Sequence, residues 1–482
     1  MNRTLWLSLT IGLAAFTVFT HLDELPLLQW DESRLAVSAY EMLHSGNLWV
    51  TTYMGQPDMW STKPPLMIWL IAGSMKLFGY TELAVRFPAA IAAVLTSILW
   101  FWFAVKKWNK PALGFLACAV LVSSYGFMRE HCARTGDYDA LLTLCISGYI
   151  IFYYLFLEEK KNKYLFFFFI FLTLGALTKG IAVMLMLPGL FFFTIIDKKL
   201  MQVFKSQAFY YGLAMFLILV LGYYFLREHY NPGCLKAVWE NELGGRYVTG
   251  VENHNYGCNY FLLYVINNGL GFWVPIFLLG IITGIRSKEQ EFKSFTLYGT
   301  ITVLSFYLII SWSKTQLEWY DMPAYPVMAA ITAIFIMSQF DKIYKLGNTK
   351  RYIKLFLSAL LLLIMYFPYK CVLDKNMSGF YSGYDVENHW MAEFLMKARR
   401  NNNKLKYTTF TPDAKTPQNL YYYFVLLNPD NRVVYKPLKE IIAGDTVVVY
   451  NPEYHEAVKN RYYVQTIDSL SNVKVYKVNG LK

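Results

Sequence analysis

The chain of 482 residues is 56% hydrophobic and 18% aromatic but only 16% charged, against about a quarter charged in an ordinary soluble domain. Apolar runs of membrane-spanning length recur from Leu5 to Tyr369, which excludes the disordered, fibrous and disulfide-scaffold classes. The formal net charge of +12 calls for no nucleic-acid partner, because Lys and Arg gather in short loops between apolar runs, where orientation in the bilayer accounts for them.

In chain order, Asn2-Arg3 precede the first apolar run and no small-residue cleavage site follows before His21. That run reads as a retained anchor. Apolar runs predict eleven spans at 4–21, 85–105, 112–128, 139–157, 164–178, 180–196, 208–226, 260–285, 295–311, 321–339 and 353–370. The apolar stretch 65–79 is too short for a span, carries Lys76 and starts at Pro64-Pro65, so it reads as an interfacial or re-entrant helix. With that choice one set of loops, from Lys106-Lys107 through Lys354 and together with Arg3, holds 18 basic residues against six acids. The positive-inside rule makes this set cytoplasmic, with the N-terminus inside and the C-terminus outside.

The first outer loop, 22–84, is too long to be a plain connection and carries Trp49, Trp60 and Trp69, which predicts a folded active-site loop. Its Asp31-Glu32 pair offers either carboxylate as a general base, or Asp31 as the N-cap of a helix through Ala36–Leu43. Lys63 before Pro64-Pro65 sits at headgroup level, as a phosphate clamp or as a snorkelling anchor. In the second outer loop Arg134, Asp137 and Asp139 fall together, Asp137-x-Asp139 resembling a weak metal-binding DxD and Asp139 also suiting a helix start. The loop 227–259 brings Glu240, Glu242 and Arg246 between glycines, and a later one carries Ser313-Lys314-Thr315 and Trp319-Tyr320. Cys234 and Cys258 share the 227–259 loop and could pair in an oxidising compartment, or stay free. The cations Lys63, Arg134, Arg246 and Lys314 on one face with Asp31 and Asp139 suit cleavage of a lipid–phosphate bond, cations holding the developing charge and a carboxylate activating an acceptor.

After Asp374 the apolar runs shorten and alternate, as in Arg432–Lys436, Asp445–Tyr450 and Val473–Val478. Residues 374–482 thus read as a small soluble α/β domain on the outer side of a membrane domain spanning 1–373. Within it Tyr421-Tyr422-Tyr423 reads as core rather than a binding platform.

The chain resembles the GT-C integral membrane glycosyltransferases, in the branch of the protein O-mannosyltransferases and the lipid A aminoarabinose transferases. The residues that carry this are Asp31-Glu32 with Ala39–Leu43 and Gly46-Asn47, Lys63-Pro64-Pro65-Leu66 with Trp69, Leu77-Phe78-Gly79 with Glu82, Val85-Arg86 and Pro88, Ala133–Gly136 with Asp139–Leu142, Ala176–Gly180, and Ser313-Lys314-Thr315 with Trp319-Tyr320 and Pro323–Pro326. The resemblance implies an α-helical polytopic fold and inverting transfer of a sugar from a polyprenyl phosphate on the outer, periplasmic side of the inner membrane. It implies Asp31 as catalytic carboxylate, Lys63, Arg246 and Tyr320 on the donor phosphate, and Asp139 beside the site; Glu32, Lys314 and Arg134 complete the candidates. The acceptor is a lipid such as lipid A, a glycan or a protein hydroxyl, and the expected state is a monomer. A divalent metal is not demanded, because metal-binding aminoarabinose transferases look to have Glu and His where this chain has Thr62 and Asn241; His131, His229 and His254 remain possible ligands. A flippase for lipid-linked saccharide is the alternative class. It expects ionisable residues in the middle of spans and structural repeats, whereas the charges here gather at one face.

Overall fold

The computed structural model describes residues 2–242, 244, 255–345, 351–378, 386–401, 408–409, 418–427 and 436–482. Contacts at the helix ends show how the chain runs. Lys107 reaches Glu158 at 3.2 Å and Glu291 at 3.3 Å, Lys110 reaches Glu289 at 3.2 Å, and Lys199 reaches Glu158 at 3.0 Å. Arg3 bonds Asn109 beside them at 2.5 Å. Loops predicted to share a face therefore meet at one end of the bundle. At the other end Arg129 bonds Tyr264 at 2.6 Å, Arg227 bonds Thr51 at 2.8 Å, and Lys179 holds Asp139 at 2.6 Å.

These ends also resolve the helical run 162–196. It begins at Asn162, which bonds Ser206 at 2.9 Å, reaches Lys179 at the Asp139 end, and is back beside Glu158 by Lys199. The chain doubles back at Gly180, whose φ of +57° disfavours a side chain, and at the 3₁₀ turn Gly180–Met186 that follows. The run is thus two legs, Asn162–Lys179 and Leu187–Ile196, and the expected order of loop sides is kept.

By length and composition seven helical stretches among the described residues can cross a membrane, or eight if Tyr260–Gly269 and Gly271–Ile285, bent by 101°, form one span. The eleven expected spans are not reached by that measure, since 162–196 counts once and two segments are short. Arg3–Phe19 has 17 residues and Pro111–Val122 has 12. The latter stops early because Ser123 and Ser124 hydroxyls bond back to the Ala119 and Val120 carbonyls at 2.5 and 2.7 Å, competing with helix continuation. The stretch read as interfacial is the 13-residue helix Leu66–Phe78, packed on Glu82–Trp108.

The C-terminal segment carries a four-stranded sheet. Thr408–Thr409 runs parallel to Thr446–Val449, which pairs antiparallel with Val473–Leu481, and that strand pairs antiparallel with Tyr462–Leu470. Two expected strands appear; of the third, Arg432–Lys436, all but Lys436 lies outside the described residues. Tyr462–Leu470 was not expected because most of its side chains are exposed on both faces, which erases the period-two signal. Tyr422 and Tyr423 are core, as read from sequence, at 1% and 0% exposure. All six cysteines are free thiols, Cys234 buried and Cys258 exposed.

Candidate active site

Asp31 is the first residue of the helix Asp31–Ser45, and its carboxylate is half exposed. It is not the N-cap that sequence allowed, because Trp30 occupies that position, with φ 71° and ψ −115° and no capping side chain. A positive φ at a bulky residue is costly and concentrates where function fixes the backbone. Glu32, by contrast, is 1% exposed and fully engaged. Its oxygens accept from Arg86 at 2.7 and 3.0 Å, from the Leu28 N–H at 2.7 Å and from the Gly136 N–H at 2.9 Å. A carboxylate so occupied has no oxygen to offer a substrate, so the expectation of Glu32 as a base is corrected to a structural tie.

The second outer loop comes to Asp31 from the other side. His131, itself at φ 60°, places Nδ1 2.6 Å from Asp137 and 3.9 Å from Asp31, and its ring stacks on Trp319 with centroids 3.9 Å apart. Burial alone would lower the imidazole pKa, but the Asp137 hydrogen bond and the charges of Asp137, Asp31 and Glu130 outweigh it and raise it. Burial would raise the Asp137 carboxyl; its bond to His131, the Lys179 charge and the Tyr138 N–H hold it below the ordinary range. Asp137, not Asp139, caps the following helix, accepting from the Tyr138 N–H at 2.6 Å. Gly136 is needed here because a Cβ would lie 2.6 Å from Val85.

Lys63 is nearly buried, with Nζ 3.6 Å from Glu242 and 5.3 Å from the Tyr138 ring centroid. Its loop is fixed by Asp58, which takes two bonds from Arg34 at 2.8 and 2.6 Å and the N–H groups of Trp60 and Ser61 at 3.0 Å each. Burial would raise the Asp58 pKa, but the Arg34 bond and charge and the two backbone donors win and lower it. A depressed carboxyl stabilises above its unfolded pKa, about 3.9, and that stability is lost as pH falls through the folded value. The loop 58–63 should therefore loosen only below about pH 4, seen as faster proteolysis at Ser61–Lys63 in acid; Asp58→Asn should show that cleavage already at pH 7.

One cavity of about 430 Å³ joins these groups, a size suited to a small polar substrate. Asp31, Lys63, His131, Asp137, Lys179 and Tyr320 all line it, with Trp30, Trp60 and Trp319 as aromatic walls. Two apolar grooves share Lys63 and Lys179 with it, and both are also lined by Ile181 and Glu242. Of the candidates from sequence, Asp31, Lys63 and Tyr320 meet in the cavity, and Asp139 lies at the adjoining groove as the partner of Lys179. Arg134 does not meet them, because its guanidinium bonds the Val18 and Thr20 carbonyls at 3.0 and 2.8 Å and closes the end of Arg3–Phe19. Lys314 is exposed and outside the lining, and Arg246 and His254 lie outside the described residues. Lys179 was missed as a site residue. Its signal was a lysine at the end of an apolar run, which is a functional pointer by default.

As for metal ligands, Asp31, His131 and Asp137 bring three possible donor atoms within 4.8 Å of one another, though His131 Nδ1 is already bonded to Asp137. Thr62 and Asn241 offer a hydroxyl and an amide, and Asn241 Nδ2 is bonded to the Met59 carbonyl at 2.9 Å.

A helical bundle with a polar cavity at one end, long loops folded over it and a small sheet domain is the architecture of an integral membrane protein of the GT-C fold. The whole chain follows the crystal structure of ArnT from Cupriavidus metallidurans bound to undecaprenyl phosphate, with TM-score 0.71, 15% identity and 98% of each chain covered. The oligosaccharyltransferase of Archaeoglobus fulgidus follows at TM-score 0.59 and 13% identity, over 90% of this chain and 64% of that one. Residues 62–224 match the dolichyl-phosphate-mannose-protein mannosyltransferase family model. By sequence the chain is 27% identical to an uncharacterized protein of Aquifex aeolicus, over 71% of this chain and 66% of that one. It is 26% identical to the undecaprenyl phosphate-alpha-4-amino-4-deoxy-L-arabinose arabinosyl transferase of Aeromonas hydrophila, over 69% of this chain and 60% of the relative. The matched region thus spans a little under two thirds of these relatives' lengths. The chain shares the fold of these solved structures.

Proposed function

We propose that the chain is a membrane glycosyltransferase that moves a sugar from a polyprenyl-phosphate donor to a hydroxyl of a lipid, glycan or protein acceptor, with inversion. One observation carries this reading: the Asp31 carboxylate and the Lys63 ammonium line a single cavity, and Lys63 also lines two apolar grooves. The grooves suit an isoprenoid chain, and the cations suit the phosphate at its head. Asp31 takes the proton of the acceptor hydroxyl as that oxygen attacks the anomeric carbon. The sugar–phosphate bond breaks on the opposite side and its electrons pass to the phosphate. Lys63, Tyr320 and Arg246 stabilise the charge that develops there. The aromatic walls pack the sugar.

The positive-inside reading puts the cavity and residues 374–482 on the periplasmic side of the inner membrane, with residues 1–373 as the catalytic unit acting as a monomer. The flippase alternative gains no support from the ion pairs of the bundle cited above, which lie at its two ends. The function is tested by incubating purified protein with a synthetic polyprenyl-phosphate sugar and lipid A, and following polyprenyl phosphate release and acceptor mass. Release that depends on an acceptor is expected. Transbilayer movement of the donor in vesicles without any release would overturn the reading in favour of the flippase.

A further inference from the structure

Glu82 opens the helix Glu82–Trp108 and is 1% exposed, yet it lies far in sequence from the groups that surround it. Arg399 places Nη2 at 2.9 and 2.7 Å from its two oxygens, and Arg400 reaches it at 3.2 Å. The Tyr423 hydroxyl donates to it at 3.0 Å. The same three side chains also hold backbone, Arg400 and Tyr423 that of the segment leading to Asp31 and Arg399 that of the turn just before Glu82. Arg399 bonds the Tyr80 carbonyl at 3.0 Å, Arg400 bonds the Asp23 carbonyl, and the Tyr423 hydroxyl accepts the Leu27 N–H at 3.0 Å.

One helical turn past Glu82, Arg86 takes the same segment from its other side. It donates to the Leu22, Leu25 and Pro26 carbonyls at 2.8 Å each, and to Glu32. Glu32 is the neighbour of Asp31, and its bond to the Gly136 N–H lies one residue from Asp137. Segment 22–28 is therefore gripped between Arg86 and the C-terminal helices, and its far end sets where Asp31 and Asp137 stand. An interface serving only to attach a domain has no need to converge on buried polar groups, whereas a buried network of several bonds to one carboxylate fixes one geometry.

We propose that the helices Val386–Arg400 and Gln418–Leu427 clamp the Asp31 loop through Glu82, making Arg399, Arg400 and Tyr423 positioning residues for the transfer reaction. This rests on the proposed function, but the clamp has a readout of its own. Energy passes along the chain of bonded groups from Arg399 to Glu82 and the 22–28 backbone, and loss of one end loosens the other.

The test compares full-length wild type, the double variant Arg399→Ala with Arg400→Ala, Arg399→Lys, Tyr423→Phe and Lys436→Ala. Lys436 pairs with Asp445 at 2.7 Å inside the sheet region and serves as a control that perturbs the same domain elsewhere. In the double-alanine variant kcat should fall about tenfold while the donor KM stays within about twofold, because geometry and not donor binding is lost. Amide exchange at Leu27, Leu28 and Gly136 should speed up in the same variant. Arg399→Lys should recover part of both, Tyr423→Phe should speed exchange at Leu27, and Lys436→Ala should leave all of them unchanged. Unchanged kcat in the correctly folded double variant would overturn the proposal, as would unchanged exchange at Leu27 and Gly136, or equal losses in Lys436→Ala. If wild type itself transfers no sugar, the functional reading falls, and exchange alone decides the clamp.

Discussion

Asp31→Asn is expected to lower the rate of sugar transfer by about 10²- to 10⁴-fold, the usual worth of a positioned general base, while the protein folds as before. Asn keeps the shape of the side chain. The helix Asp31–Ser45 does not depend on Asp31 as a side-chain cap, since Trp30 holds that place. The charge does add to the first helical turn, but that effect is at most about 1 kcal/mol. Glu32→Gln provides the contrast. It removes charge from a buried pair with Arg86, and breaking such a pair costs about 3–5 kcal/mol, so it should lower folded yield first and activity only as a consequence. Initial rates of purified protein on a synthetic polyprenyl-phosphate sugar separate the two. Near-normal transfer by folded Asp31→Asn would remove Asp31 from the mechanism.

The same pair marks what a sequence can and cannot give. The membrane fold was legible because apolar runs and the charge of the intervening loops follow from the bilayer alone. Asp31 and Lys63 were legible as neighbours because motifs on one face of the membrane are brought together by topology, whereas Tyr320 was legible only through the family resemblance. Read from the residues alone, without the resemblance, the choice between Asp31 and Glu32 was not legible, since adjacent residues on a helix point about 100° apart and only the tertiary partners decide which faces the cavity. Arg86, more than fifty positions away, makes that choice by capturing Glu32. Arg134 failed as a candidate for a similar reason: its cationic head is spent on the carbonyls that end the first helix. Lys179 was hidden by its setting, because an apolar run ending in Thr178-Lys179-Gly180 reads as a span with an anchor. Only the return of the chain at Gly180 turns it toward the cavity.

Lys63→Ala is expected to reduce turnover of the donor by about 10²-fold, the scale of losing one group that stabilises developing charge. The ammonium is nearly buried, near the Glu242 carboxylate and the Tyr138 ring, and it lines the polar cavity and both grooves. No other residue among those described lines all three, apart from Lys179, whose ammonium is held by both oxygens of Asp139 at 2.6 Å. Lys179 therefore spends its charge on Asp139 first, and on the proposed mechanism Lys63 would carry more of the phosphate load. The two lysines should then fail differently. Lys179→Met leaves Asp139 without its cation in a buried place and should destabilise the fold by about 3–5 kcal/mol, with Asp139→Asn in the same chain restoring most of the folded yield. Lys63→Ala should leave yield intact and act on turnover, and Lys63→Arg should recover only part, because a planar fork does not occupy the place of a compact ammonium. Combined with Arg246→Ala, Lys63→Ala should be less than additive, as expected of groups that bind one phosphate together. A snorkelling anchor would give the reverse pattern, with Lys63→Ala lowering membrane insertion and folded Lys63→Ala transferring sugar at the wild-type rate; that result would discard the phosphate clamp.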